Sequence, residues 1–216
     1  MNENQTTTLD KRKAKKRLMV AIIVVIAAIV LLLVASVVID IIENKKRAGE
    51  VEIDYDFYPA DFNENIFEDE KYLNLIEGEF LKYCDSTTNL TVGIDRETAK
   101  DHGEPVAFIV EMLYDAIEGN CDEYNKNFST EFYKSNSPKQ AFTMQKIYDV
   151  TITFISAEKT EDYTKYNYCL EYKIFENNGT FRKDIGDGSK KQYLVITNRS
   201  GELLVDSITT AKVVTK

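Results

Sequence analysis

The chain has 216 residues, 44% hydrophobic and 29% charged, with a formal net charge of -9 and no tryptophan. That composition belongs to a globular chain with room for one ordinary domain. A single histidine excludes a histidine-rich metal centre within one chain, and the acidic balance excludes nucleic acid as a natural partner.

The charge is unevenly placed. Residues 1–17 carry six basic side chains, Lys11, Arg12, Lys13, Lys15, Lys16 and Arg17, against Glu3 and Asp10. Residues 43–216 carry 21 basic and 33 acidic side chains, a net charge of -12. Between them, residues 18–39 form a run of 22 without a charge, built almost wholly of Val, Ile, Leu and Ala. As a helix rising about 1.5 Å per residue, this run reaches about 33 Å, enough for a hydrocarbon core of about 30 Å. Residues 18–42 are therefore expected to be a transmembrane helix in contact with the lipid bilayer. The Lys/Arg excess before it assigns residues 1–17 as a basic cytoplasmic tail and the C-terminal part as extracytoplasmic. A cleavable signal peptide has a shorter apolar run, of about 7 to 15 residues.

Residues 43–68 read as an acidic linker. From residue 48 to residue 70 there are nine acids and no Lys or Arg, interleaved with Tyr55, Phe57, Tyr58, Phe62, Ile66 and Phe67. Asp54 and Asp56 have the spacing that opens a calcium loop, but the sixth position lacks glycine and the twelfth lacks glutamate, so no metal site is expected.

Residues 69–216 are expected to form the extracytoplasmic domain. Leu73, Ile76 and Phe80 follow an acidic start at helical spacing and predict a helix over 69–84. A polar connection follows, with a short extended piece around Leu90 to Ile94. Pro105 suits the first turn of a second helix, which has Val106, Ile109, Val110, Leu113 and Ile117 on one face and Gly119 at its stop. Asp122 is placed to cap a further helix, on which Tyr124, Phe128 and Phe132 fall four apart.

From Ile147 the period becomes two. Val150, Ile152 and Phe154 alternate with threonines, and Tyr166, Tyr168, Leu170, Tyr172 and Ile174 alternate mostly with polar residues; Tyr193, Val195, Leu203 and Val205 continue the pattern. Glu161-Asp162, the excursion from Asn177-Asn178-Gly179 to Gly188, and Asn198-Arg199-Ser200-Gly201 supply the turns. The expected fold class is α+β: an N-terminal transmembrane helix, then two or three helices packed on a curved antiparallel sheet of about four strands.

Residues 104–212 resemble the nuclear transport factor 2-like superfamily of cone-shaped α+β domains, also called cystatin-like. The likeness rests on Tyr114-Asp115-Ala116-Ile117-Glu118-Gly119-Asn120-Cys121-Asp122-Glu123-Tyr124, where one helix ends in a Gly-polar-Asp break before the next, and on the long hairpins that follow. The resemblance implies a conical pocket between sheet and helices, here lined by Phe128, Phe132, Tyr168 and Tyr172. It also implies frequent use of the fold for dimerisation or docking. The whole plan of short tail, single helix and exported cone is similar to that of the membrane-anchored scaffold subunit of type IV secretion and conjugation machines.

No phosphate loop or nucleophile elbow is present, and no catalytic residue, cofactor or metal is assigned. Cone-fold enzymes work with a buried carboxylate and a tyrosine, for which Asp115, Asp149 and Glu171 are the candidate acids. His102 reads as a surface or capping histidine. Cys84, Cys121 and Cys169 read as small buried hydrophobes, with one disulfide as the alternative. The expected function is a non-enzymatic interaction or scaffold domain of a bacterial cell envelope, a subunit of a secretion- or conjugation-type assembly, acting with a protein partner or as a homodimer. The alternative is a sensory or small-ligand-binding domain that uses the cone pocket.

Overall fold

The computed structural model describes residues 55–78, 80–186, 188 and 190–210. The basic tail, the transmembrane helix at residues 18–42 and residues 43–54 of the linker lie outside the described residues. Among the described residues, no helix is long and apolar enough to cross a membrane. The domain is α+β, with four helices on a six-stranded mixed sheet.

The chain enters through a single 3-10 turn, Ile66–Glu68, and helix α1 (Glu70–Ile76). Asp69 caps α1 by accepting from the backbone N–H groups of Lys71 and Tyr72. The helix predicted over 69–84 stops at Ile76. Gly78 adopts φ +87°, a left-handed conformation that glycine alone takes at no steric cost. The next residues bury alternate side chains, Leu81 and Tyr83, as strand β1 (Leu81–Asp85). Strand β2 (Leu90–Ile94), foreseen as a short extended piece, folds back on β1 through an Asp85-Thr87 turn.

β1 also pairs in parallel with β3 (Ile147–Lys159), in the register Leu81 opposite Val150. The expected four-strand antiparallel sheet is thus a six-strand sheet in the order β2-β1-β3-β4-β5-β6 with one parallel pair. Two parallel neighbours need a long crossover, and helices α2 (Glu104–Ile117), α3 (Cys121–Lys126) and α4 (Thr130–Tyr133) lie in it. In α2 the predicted face is buried: Val106, Ile109, Val110, Leu113 and Ile117.

The single helix predicted after Asp122 is two helices, because Asn127, Phe128 and Ser129 leave the helical path for the sheet edge. Val205 on β6 donates its N–H to the Asn127 carbonyl (2.8 Å) and accepts from the Ser129 N–H (3.1 Å). Asn127 Nδ2 satisfies the freed carbonyls of Glu123 and Tyr124, and the Ser129 hydroxyl caps α4. An exposed edge strand is thereby partly covered.

β3, β4 (Thr164–Ile174), β5 (Gln192–Arg199) and β6 (Glu202–Thr210) form an antiparallel meander, closed by the expected tight turn at Ser200-Gly201. Three register shifts, at Tyr148/Thr151, Phe154/Ser156 and Val195/Ile196, insert extra residues that bend the strands. The β5 pattern is offset by one from the sequence reading: Leu194 and Ile196 are buried, whereas Tyr193 is 39% exposed. Two apolar faces compete in that strand, and pairing with β4 and β6 decides between them. Helical and strand residues share one core, from Ile66 and Tyr72 through Ile109 and Ile117 to Ile152 and Ile196.

The described part of the acidic stretch, residues 55–68, lies against the domain. Ile66 is fully buried, the Tyr58 N–H donates to the Asn177 carbonyl (3.1 Å), and Phe57 sits so close to Gly179 that a Cβ there would approach it to 3.1 Å. Charge fixes the same segment. Lys146 is buried, and its ammonium donates to Glu64 (2.8 Å), Asp69 (2.6 Å) and Glu176 (2.9 Å). Burial opposes the charged lysine, but these three carboxylates outweigh it and hold its pKa above the ordinary value.

The hydrogen bond from Lys146 holds the Asp69 carboxyl below its ordinary pKa, against burial and with help from its helix-capping contacts. Asp69 therefore adds stability above the unfolded carboxylate value of about 3.9, which is lost as pH falls through the lower folded value. Lys146→Met leaves three carboxylates facing one another and is expected to cost about 3 kcal/mol at pH 7. In denaturant melts of the two proteins, that difference should narrow at pH 3; a constant difference at both pH values would deny the ion cluster its role.

Candidate functional site

A cleft of about 580 Å³ opens between α3, α4, the segment that follows them, the loop after β4 and the end of β6. Its apolar wall begins at Tyr124, whose ring packs on Phe128 (centroids 5.1 Å) and stands edge-on to Phe181 (5.1 Å) and Phe142 (5.8 Å). Phe132 continues the wall from Phe128 at 4.4 Å, and Tyr133 packs against both phenylalanines. The break at 127–129 is what brings α4 alongside α3 and sets these rings against the sheet edge.

The opposite wall is the loop from Asn177 to Asp184, and one buried amide organises it. Asn177 Nδ2 donates to the carbonyls of Arg182 (2.6 Å) and Ile185 (2.5 Å), while its Oδ1 accepts from the Gly179 N–H (2.8 Å). A second amide, Asn178, caps Thr180 and donates to Thr143 Oγ1 (2.6 Å). Arg182 is thereby held under the cleft, with each of its three guanidinium nitrogens donating to the wall. It forms a two-pronged pair with Asp184 (2.9 and 2.8 Å) and donates to Gln192 Oε1 (2.6 Å). Lys190 also binds Asp184, at 2.7 Å. Burial opposes ionisation of Asp184, but Arg182 and Lys190 prevail and keep it well below the carboxylate range.

Lys139 differs. Asn125 grips its backbone from both sides, accepting from its N–H (2.8 Å) and donating to its carbonyl (2.9 Å), and Tyr133 in turn donates to the Asn125 carbonyl (2.6 Å). The Lys139 ammonium donates to the Phe181 carbonyl (2.7 Å) and lies 5.4 Å from that ring's centroid. Among the described residues, no carboxylate lies within ion-pair distance of it. Burial, reinforced by Arg182, lowers its pKa from the ordinary lysine value.

Of the four residues expected to line a pocket, Phe128 and Phe132 do so. Tyr168 and Tyr172 do not line this cleft. They lie on β4, two strands in from β6, where Tyr168 packs on Phe154 and Tyr172 is buried behind the wall, beside Arg182 and Gln192. The three candidate acids do not converge. Asp115 is raised by burial while Asn127 donates to it (2.9 Å), Asp149 pairs with Lys173 (2.7 Å), and Glu171 lies 3.9 Å from Lys191. His102 packs on the Tyr83 ring at 4.8 Å. Cys169 is buried, Cys84 and Cys121 partly so, and all three thiols are free. Among the described residues, no group of three His, Cys, Asp or Glu side chains is placed to hold a metal ion.

Sequence reasoning missed Lys139, Phe181 and Arg182. The one available signal was Asn177-Asn178-Gly179, which marks a turn but not what the turn carries to the cleft. No protein-family model, curated protein or solved structure matches the chain.

Asn177 is the test of the loop wall. Asn177→Ala strands one buried and one partly buried carbonyl and is expected to destabilise the protein by about 2 to 3 kcal/mol, whereas Asn178→Ala costs about 1 kcal/mol. Denaturant titration of both variants checks the order; equal costs would mean that Asn177 does not organise the loop.

Proposed function

We propose that this chain is a membrane-anchored, extracytoplasmic interaction domain of a bacterial cell envelope. Residues 18–42 are the anchor, and the acidic domain is the part that meets a protein partner or a second copy. The observation that carries this reading is an uncharged apolar run of bilayer length between a basic tail and a folded domain of opposite charge. The dispersal of Asp115, Asp149 and Glu171, each held by its own neighbour, favours recognition over acid–base chemistry. We read the domain as a nuclear transport factor 2-like cone, supported by helices and a bulged, curved sheet that share one core. Within that family plan, the scaffold subunit of a secretion or conjugation machine fits the order of tail, helix and domain.

A second reading is favoured by one observation, the aromatic cleft. Its size lies within the range of small-molecule sites, and Asn125, Lys139, Arg182 and Asp184 bring polar groups to it, as a ligand-binding or sensory domain would require.

Fractionation and crosslinking separate these readings. The full chain should sediment with membranes, resist carbonate extraction and dissolve in detergent, and protease added to cells stripped of their wall should remove the domain but spare the tail. Recovery in the soluble fraction would end the anchor. In-cell crosslinking should then join residues 55–210 to one stoichiometric envelope protein or to a second copy; no protein adduct would leave the ligand reading in front.

A further inference from the structure

The cleft is cationic within an acidic chain. Residues 43–216 carry a net charge of -12, yet the charged residues lining the cleft are Lys139, Arg182, Lys183 and Asp184. Asp184 is engaged by both Arg182 and Lys190. That leaves Lys139 and Lys183 without a carboxylate at ion-pair distance among the described residues, Asp184 acting on Lys139 only from farther off. A charge close to an apolar wall loses hydration and gains most from a counter-charge delivered by a ligand.

Lys139 is also a built feature. Two hydrogen bonds from Asn125 fix its backbone, and Tyr133 fixes Asn125. Among the described residues its ammonium donates only to the Phe181 carbonyl, one of the three hydrogen bonds it can make. The Phe181 ring lies against it, and Phe132 and Tyr133 line the same cleft. Flat apolar surface within reach of an unneutralised cation describes the ligand by complement.

Resting on the second reading above, we propose that the cleft binds a small molecule with a flat, aromatic or similarly apolar body carrying one anionic group. The body lies against Phe132 and Tyr133, the partly exposed rings of the wall that the buried Phe128 and Phe181 support, and the anion takes the Lys139 ammonium, with Lys183 adding attraction from the rim. Arg182 does not contact the anion; it holds the wall in place through Asp184 and Gln192. A neutral analogue would keep the stacking and lose the charge-assisted hydrogen bond.

The probe is 4-benzoylbenzoate, an aromatic carboxylate that crosslinks on illumination, set against neutral 4-benzoylbenzamide, with the full-length protein held in lipid nanodiscs. Labelled residues are mapped by mass spectrometry, so partition into lipid does not enter the reading. The carboxylate should label residues 128–140 and 179–184, at least about tenfold more efficiently than the amide, and naphthalene-2-carboxylate should compete. Lys139→Met should abolish the preference and Lys139→Arg restore it, with unchanged circular dichroism in both. Equal labelling of the cleft by the two probes, indifferent to Lys139, would overturn the anionic ligand while leaving the cleft as a binding site. No labelling of the cleft by either probe would overturn the binding-site reading itself.

Discussion

One buried ammonium holds the entrance of this domain together. Lys146 stands just before β3 and binds Glu64 of the incoming arm, Asp69 at the cap of α1 and Glu176 at the end of β4. Taking a lysine out of water is costly, and one carboxylate would barely repay it. Three carboxylates from three segments repay it and in doing so fix where those segments sit. The parallel pairing of β1 with β3 depends on this placement, because α1, capped by Asp69, ends at Ile76 and delivers the chain to β1 at Leu81. The buried Tyr72 hydroxyl, donating to the Ile147 carbonyl (2.9 Å), adds a second tie between α1 and the start of β3.

The same logic recurs at the cleft with a different outcome. Arg182 brings a permanent charge under an aromatic wall, and Asp184 with Gln192 satisfies it in a fixed planar geometry. That pair is structural because each nitrogen of the guanidinium already donates to the wall and its charge is matched by Asp184. Lys139 is placed with equal care through its backbone, yet its charge has no such partner among the described residues. The contrast between a spent cation and an unspent one, both lining one cleft, separates the part of the wall that supports from the part that can recognise.

Much of the fold could be read from residues in order, and the failures have physical causes. Helix α2 was legible because its apolar spacing, Pro105 and Gly119 all agree. The meander was legible because alternation and turn residues coincide. The stretch 69–84 misled because Leu73, Ile76 and Phe80 keep helical spacing across Gly78, and a weak local periodicity gave way to pairing with β3, about 70 residues away. In β5, Tyr193 and Val195 compete with Leu194 and Ile196, so composition could not choose the buried face. Phe128 and Phe132 were legible as an aromatic stripe; Lys139 and Arg182 were not, because their meaning arises only when a 40-residue separation closes around Phe181.

The break between α3 and α4 joins the fold to the site. A continuous helix through Asn127 would have kept Phe128 on the stripe with Tyr124 and Phe132, and would have left β6 as a longer open edge. Instead three residues add to that edge, and each loss to the helix is repaired locally: Asn127 Nδ2 caps the carbonyls behind, and Ser129 Oγ caps the N–H ahead. Having turned, the chain places Phe132 4.4 Å from Phe128 and sends Tyr133 to Asn125, the residue that grips Lys139. Covering a sheet edge and building the cationic aromatic cleft are therefore one structural event, and a substitution that restored a continuous helix would undo both together.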